Sequence, residues 1–519
     1  LELSYDKQLK GKNGYKVYQT DANGYALVDG TLREKDPTNG NDLYLTIDSG
    51  LQRNLDYLMS NAYSESGAEV VTAGVMEIKT GKILAMSTYP SFNPNERNIS
   101  TFNNYFLEGT IECGSVFKPF IYADSIEEGK YDHNAYYNSG SYNVYYGNKL
   151  VATIKDHNGG QGWGTITYDQ GLYHSSNVAI CNLLDQGYVT KDVLTEKLND
   201  LGFFQGDTMD GLTCSSSINA YTRKNAGRLE YLTTGFGQGS TVTPYQLLKA
   251  YSVFGNDGKT VQPHIVDKVV NPETNKVVYQ ATPKYSKQFF STNTISQVKD
   301  LMLGVIEDEQ GTGKIYRLDN DVRMIGKTGT GQVVENGGYS TTLYMHSFVG
   351  IAPYDDPQVV MFLTFKSGDS YAQYMPNIVK QTMNEALQVV NRYNAKNTTA
   401  VDQSCTLDSY TNQSVNYVKS KLESKSLSVQ IIGNGSSVIE QYPLAKSKVT
   451  SGDKVFIKTE GKDITLPNLI GWSKKEVQTY ASLAGIQLTI DGTSGHVTAQ
   501  SVGENTVVHS GDSLTVAIS

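Results

Sequence analysis

Residues 112–118 read Glu112-Cys113-Gly114-Ser115-Val116-Phe117-Lys118. Positions three apart share a helix face, so a helix here sets Lys118 beside the Ser115 hydroxyl. A serine hydroxyl is a weak nucleophile until a neighbouring base takes its proton. A lysine with its ordinary pKa of ~10.4 is charged at neutral pH and cannot be that base. Burial and a second nearby cation both lower it. The stretch therefore predicts a buried lysine and a second cation elsewhere in the chain.

Ile325-Gly326-Lys327-Thr328-Gly329-Thr330 supplies the second cation on a predicted strand. Lys327 can repel charge from Lys118 and bind a substrate carboxylate. Gly329 leaves the strand edge open to close backbone approach, so a peptide can add there as an extra strand. Thr328 and Thr330 offer hydroxyls, and backbone N–H groups at Ser115 and Thr330 are candidates for an oxyanion hole. Between the two lies Ser175-Ser176-Asn177, opening a predicted helix over Asn177–Asp185. Ser175 is placed to relay a proton, and Asn177 has a donor and an acceptor for a substrate amide.

Each motif alone is weak. Ser451-Gly452-Asp453-Lys454 is a second Ser-x-x-Lys, and Lys79-Thr80-Gly81 a second Lys-Thr-Gly; both read as turns. Order and context discriminate. Ser115, Ser175 and Lys327 follow one another on a helix start, a helix start and a strand.

Outward from the motifs, Asn41 to Ile47 reads as a strand. Asp48 and Ser49 can cap a helix to about Tyr63, with Leu51, Leu55 and Leu58 on one face. Strands Val70–Ile78 and Lys82–Ser87 follow, joined by the Lys79-Thr80-Gly81 turn. From about 100 to 300 the pattern is helical and irregular. Strands return at Arg323–Gln332, Leu343–Ala352 and Gln358–Phe365, the last two forming a hairpin across Pro353-Tyr354-Asp355-Asp356. Met375–Tyr393 reads as a closing helix. Strand pairs flanking a helical insertion predict an α+β fold, with an antiparallel sheet flanked by helices and a helical subdomain. The expected boundaries are 1–40 for the end of a preceding domain and its connector, 41–393 for the main domain, and 394–402 for a polar linker.

Beyond the linker the sequence repeats at an offset of 59 residues. Val418, Leu427 and Val438 correspond to Val477, Ile486 and Val497. Each unit, 403–460 and 461–519, reads helix, strand, turn, strand, turn, strand, a small α+β domain with one helix on a short sheet.

The chain has 519 residues, 39% apolar and 19% charged, with net charge −9. That balance argues against nucleic acid as a partner. No run approaches the ~18 apolar residues that span a bilayer. The chain starts at Leu1 rather than Met, and the expectation is a fragment whose N-terminal transmembrane anchor is absent. Four irregularly spaced cysteines make no disulfide framework.

The three motifs together resemble the transpeptidase domain of class B penicillin-binding proteins, in the serine β-lactamase-like superfamily. Ala73-Gly74-Val75-Met76-Glu77, Pro90-Ser91-Phe92-Asn93-Pro94, Phe236-Gly237-Gln238-Gly239 and Val242-Thr243-Pro244 extend the resemblance over about 41–393. Residues 1–40 resemble the tail of the N-terminal pedestal domain. The repeats resemble PASTA domains, best at Leu466-Pro467-Asn468-Leu469 and Gly471-Trp472-Ser473. The resemblance implies a peptidoglycan D,D-transpeptidase of the Gram-positive septal or sporulation type. Ser115 would form an acyl-enzyme from D-Ala–D-Ala stem peptides and pass it to a neighbouring stem amine. β-Lactams would trap Ser115. A membrane glycosyltransferase would be the partner, on the extracellular face of the cytoplasmic membrane. The chemistry implied needs no cofactor.

The family usually has Pro at position 113 and often a Trp near Lys155-Asp156-His157. Cys113, Asp156, His157 and Cys214, or three of them, combine ligand types that suit zinc, which makes them a candidate structural Zn²⁺ site beside the active site. Two rival functions remain at this level. A β-lactamase would need a group that positions a deacylating water, and no convincing one is seen. A non-catalytic β-lactam sensor or wall-binding protein would share the motifs.

Overall fold

A computed structural model describes the whole chain except residues 24, 93–98, 100, 319–321, 336, 398–404, 424, 426, 450–452, 493–495 and 519. The chain divides into two units, Leu1–Leu387 and Gln388–Ser519.

In the first unit Asp48 caps helix α1 (Ser49–Ser66), its carboxylate accepting from the Gly50 and Leu51 amides at 3.0 Å each. Leu51, Leu55, Leu58, Met59 and Ala62 form its buried stripe. Strands β1 (Val70–Glu77) and β2 (Ile83–Tyr89) form a hairpin. Its turn holds Lys79-Thr80-Gly81, with Gly81 at φ +82°, so this Lys-Thr-Gly is a turn as expected. Helix α2 (Lys118–Glu127) is buried from Lys118 to Ile126. Strands β3 (Ser141–Tyr146) and β4 (Lys149–Lys155) make a second hairpin, and helix α3 (Asn177–Asp185) follows. Helix α4 (Thr292–Glu307) precedes strands β5 (Ile325–Glu335), β6 (Gly338–Ala352) and β7 (Val359–Ser367). Helix α5 (Met375–Asn397) begins eight residues after β7 ends.

The five strands form one antiparallel sheet in the order β5-β6-β7-β1-β2. Two chain segments about 250 residues apart are thus woven into one sheet, with the helical insertion between them. The result is the predicted α+β architecture. β5 is an edge strand, so one side of its backbone is free to receive a partner. The predicted strand at 41–47 appears as Asp42–Leu45, but it joins Val266–Asn271 and Lys276–Gln280 in a separate small sheet.

The insertion is less purely helical than its sequence predicts. Besides β3–β4 it holds Tyr136–Asn138 paired with Thr165–Thr167, and Asp207–Met209 paired with Leu212–Cys214. Its core is aromatic, with Phe117, Phe120, Phe203, Tyr251 and Phe254 at centroid spacings of 5.0–5.9 Å. Such packing contributes beyond area burial alone.

The second unit contains both repeats. In the first, α6 (Val415–Glu423) packs on β8 (Ser428–Ile432), β9 (Val438–Tyr442) and β10 (Lys454–Thr459), in the order β8-β10-β9. The second repeats this with α7 (Lys474–Ala484), β11 (Gln487–Asp491), β12 (Val497–Gln500) and β13 (Ser513–Ile518), in the order β11-β13-β12. In each, the first and last strands pair parallel, Ser428 opposite Lys454 and Gln487 opposite Ser513. The matched pairs Val418/Val477, Leu427/Ile486 and Val438/Val497 are all buried. The repeats share a contact: Lys454 sits 3.5 Å from the Trp472 ring centroid and 3.2 Å from Glu476, with Phe456 also against Trp472.

Among the described residues no helix is long and apolar enough to cross a membrane. The Ser451-Gly452 turn, Asn93-Pro94 and residues 398–402 of the expected linker lie outside the described residues.

Candidate active site

The nucleophile candidate enters from below the sheet edge. Gly114 to Phe117 form a single 3₁₀ turn, and the α-helix proper starts at Lys118. Ser115 therefore stands on the tighter lead-in rather than on the helix itself. Gly114 has φ +61°, and a Cβ there would lie 2.3 Å from the Thr330 carbonyl oxygen. Only glycine fits this conformation and this approach.

β5 answers with its own glycines. Lys327, Gly329 and Gly331 share one face of the strand. A Cβ on Gly329 would meet the Cys113 carbonyl at 2.6 Å and Val116 Cγ1 at 3.0 Å; on Gly331 it would sit 1.7 Å from the Glu112 carbonyl. The sequence suggested that Gly329 makes room for substrate. On the face where a side chain would stand, the structure places the 112–116 turn, so the glycine spacing also docks the nucleophile onto the strand, and Gly329 lines the groove as well.

The turn before α3 supplies the third part. Ser175 is a non-glycine residue at φ +58°. Lys118 Nζ donates to its carbonyl at 2.5 Å and approaches its hydroxyl at 3.4 Å. Lys327 Nζ donates to the same hydroxyl at 2.8 Å and to the Thr328 carbonyl at 3.1 Å. Both lysines are fully buried. Burial pushes Lys118 down to about 7, opposed by the charge of Asp156. Lys327 is held well below the usual lysine range, by burial first and by Lys118 second. Two ammonium groups sharing one hydroxyl favour loss of a proton from the pair.

Ser115, Ser175, Asn177, Thr328, Gly329 and Thr330 line a common groove of about 650 Å³. Lys118 and Lys327 lie beneath it. Asn177 donates through Nδ2 to the Lys155 carbonyl at 2.9 Å, which ties α3 to the end of β4. β4 is a wall of the groove from Ala152 to Lys155, held at its base by Tyr142, whose hydroxyl bonds Asp185 and accepts from Arg228. Sequence reasoning did not single out Thr312, Tyr316 or Tyr371, which also line the groove. Thr328 donates to Thr312 at 3.0 Å. No motif marks these three; they arrive from loops around the sheet edge.

The proposed zinc set does not assemble. Among the described residues no group of three or more His, Cys, Asp and Glu side chains could hold a metal. Cys113 is buried in the apolar core, and burial pushes its thiol up, away from the thiolate a metal needs. Cys214 lies on the hairpin with Asp207–Met209. His157 is at the groove rim, tilted against Trp163, which stacks on His174. Both oxygens of Asp156 are occupied by hydrogen bonds. Oδ1 accepts from Ser176 Oγ at 2.9 Å, Asn177 N at 2.7 Å and Val178 N at 3.1 Å, and Oδ2 from Gly140 N at 2.8 Å.

Comparison with known proteins follows the same division of the chain. The penicillin binding protein transpeptidase domain family matches residues 71–388. This chain belongs to the penicillin-binding protein transpeptidase family. The penicillin-binding protein dimerisation domain matches residues 1–45, and the PASTA domain matches 406–461 and 464–519. Stage V sporulation protein D of Bacillus subtilis is 30% identical over 483 residues, covering 89% of this chain and 72% of that protein. A probable peptidoglycan D,D-transpeptidase PenA of Neisseria flavescens is 27% identical over 407 residues, covering 75% and 93%. The crystal structure of Penicillin Binding Protein 2X from Streptococcus thermophilus superposes with a TM-score of 0.66 at 24% identity, covering 100% of this chain and 78% of that one. As a family member this transpeptidase is a serine enzyme whose chemistry needs no cofactor.

Proposed function

We propose that the chain is a peptidoglycan D,D-transpeptidase with Ser115 as nucleophile. The observation that carries the reading is the Ser175 hydroxyl: Lys327 reaches it at 2.8 Å and Lys118 at 3.4 Å, beneath the groove that Ser115 lines.

Neutral Lys118 takes the Ser115 hydroxyl proton as Oγ attacks the carbonyl of a D-Ala–D-Ala amide. The Oγ–C bond forms, the amide C–N bond breaks, and the proton passes through Ser175 to the departing D-alanine amine. Backbone N–H groups of Ser115 and Thr330 are the candidates to hold the oxyanion. Lys327 and Thr328 hold the substrate carboxylate, and Asn177 an amide of the stem. A stem-peptide amine from a neighbouring strand then attacks the ester, and Ser115 regains its proton. The substrate backbone adds along the free edge of β5. β-Lactams, carrying a strained amide in the same place, acylate Ser115 and remain.

The domain works on the extracellular face of the cytoplasmic membrane, with a membrane glycosyltransferase supplying glycan strands for division or spore wall. The resemblance to Stage V sporulation protein D supports the sporulation side of that alternative. Among the described residues lining the groove there is no Asp or Glu to activate a deacylating water, which counts against a β-lactamase. Incubation with a stem pentapeptide ending in D-Ala–D-Ala and a stem-peptide amine tests the reading. Release of D-alanine with appearance of the crosslinked product is expected. Intact donor after prolonged incubation would refute it.

A further inference from the structure

Asp156 immediately follows β4, is 2% exposed, and does not itself line the groove. It does two things at once. Through Oδ1 it gathers Ser176 Oγ and the Asn177 and Val178 amides, and through Oδ2 the Gly140 amide. A buried carboxylate with this many donors is held in place. The bonds it accepts lie one to three residues after Ser175, which is itself bent to φ +58° between the two lysines. A non-glycine residue in that conformation persists only where its surroundings over-determine it. Asp156 is part of that constraint.

The groups acting electrostatically on Lys118 are few. Asp156 acts on it from the end of β4 and Cys181 from α3, while Lys327 on β5 and His157 at the groove rim are themselves lowered by it. The Cys181 thiol is pushed up by burial and stays neutral. His157 is pushed down by burial and by both lysines, so it adds no charge in neutral solution. Of the groups acting on Lys118, Asp156 is therefore the charge that opposes its burial.

We propose that Asp156 is a positioning residue of the transpeptidase: it clamps the Ser175-Ser176-Asn177 turn against the lysines, and its charge raises the pH at which Lys118 becomes the base. This rests on the assignment of Ser115 and Lys118 above, and is judged only on protein whose unsubstituted form acylates. Without its charge Lys118 loses its proton at lower pH. Without its hydrogen bonds the turn loses its place.

The two roles separate by substitution. The rate of acylation by a fluorescent penicillin is measured across pH 5–9, normalised to chains that can be labelled. Asp156→Asn keeps one oxygen on the α3 amides and removes the charge. Its acidic limb is expected to move to lower pH by roughly half a unit or more. A limb coincident with the unsubstituted protein's overturns the electrostatic role. Ser176→Ala keeps the charge and removes one strut. Acylation is expected to slow several-fold with the limb in place. An unchanged rate overturns the clamp. Because the limb position does not depend on how much protein folds, a loss of yield in Asp156→Asn does not mimic the expected shift.

Discussion

Lys327 Nζ lies 2.8 Å from Ser175 Oγ, across 152 residues of sequence. This contact joins the sheet edge to the helical insertion, and it places a buried cation on the hydroxyl that Lys118 also approaches. Replacing Lys327 removes both the donor on the Ser175 hydroxyl and the proposed carboxylate anchor. Lys327→Ala is expected to slow acylation by a fluorescent penicillin by about 10²-fold or more. A rate within threefold of the unsubstituted protein would remove Lys327 from the site.

The pH dependence follows from the lysine pair. Lys118 is pushed down to about 7, chiefly by burial. The base is active when unprotonated, so acylation rises with pH through about 7 and flattens above it. A stopped-flow series over pH 5–9 checks the sign. A rate that falls as pH rises through neutrality would mean that the protonated form is the active one.

Gly331 is where β5 meets the nucleophile turn most closely, with a Cβ position 1.7 Å from the Glu112 carbonyl oxygen. Backbone, not a movable side chain, occupies that space. Gly331→Ala is expected to lower the melting temperature by ~5 °C and slow acylation at least ~10-fold. Calorimetry and labelling together measure it.

No zinc dependence is expected. Elemental analysis of the purified protein should find less than stoichiometric zinc, and a chelator should leave acylation unchanged. Loss of labelling restored by added zinc would reverse this.

The contact between the repeats is also testable. Trp472 is 9% exposed, packed against Phe456 and Tyr480 under Lys454. Trp472→Ala is expected to destabilise the second repeat by about 3–5 kcal/mol. Hydrogen exchange along α7 would report it as lost protection.

Much of this was legible in the sequence where a local pattern carries the information. The Ser175-Ser176-Asn177 opening gives α3 as Asn177–Asp185, and the 59-residue repeat gives both small domains with their succession of helix and strands, though not the order of the strands in the sheet. Ser115, Ser175 and Lys327 were recognisable by their order. What failed needed three dimensions. The β3–β4 hairpin is hidden although Val144 and Ile154 are buried on either side of the Gly147 turn, because the exposed Tyr145, Tyr146, Leu150 and Val151 blur the alternation. Asp156 was grouped with zinc ligands because sequence cannot show that four donors already claim its oxygens. That Gly329 and Gly331 also dock the 112–116 turn is not visible in the sequence, because the turn reaches them from more than 200 residues away.

The central claim is that Ser115 is the acylated residue. Labelling with a fluorescent penicillin, followed by peptide mapping of the modified chain, tests it most directly. About one label per chain is expected, on the peptide containing Ser115, and none on Ser115→Ala. Persistent label on Ser115→Ala, or no label on the unsubstituted protein, would contradict it.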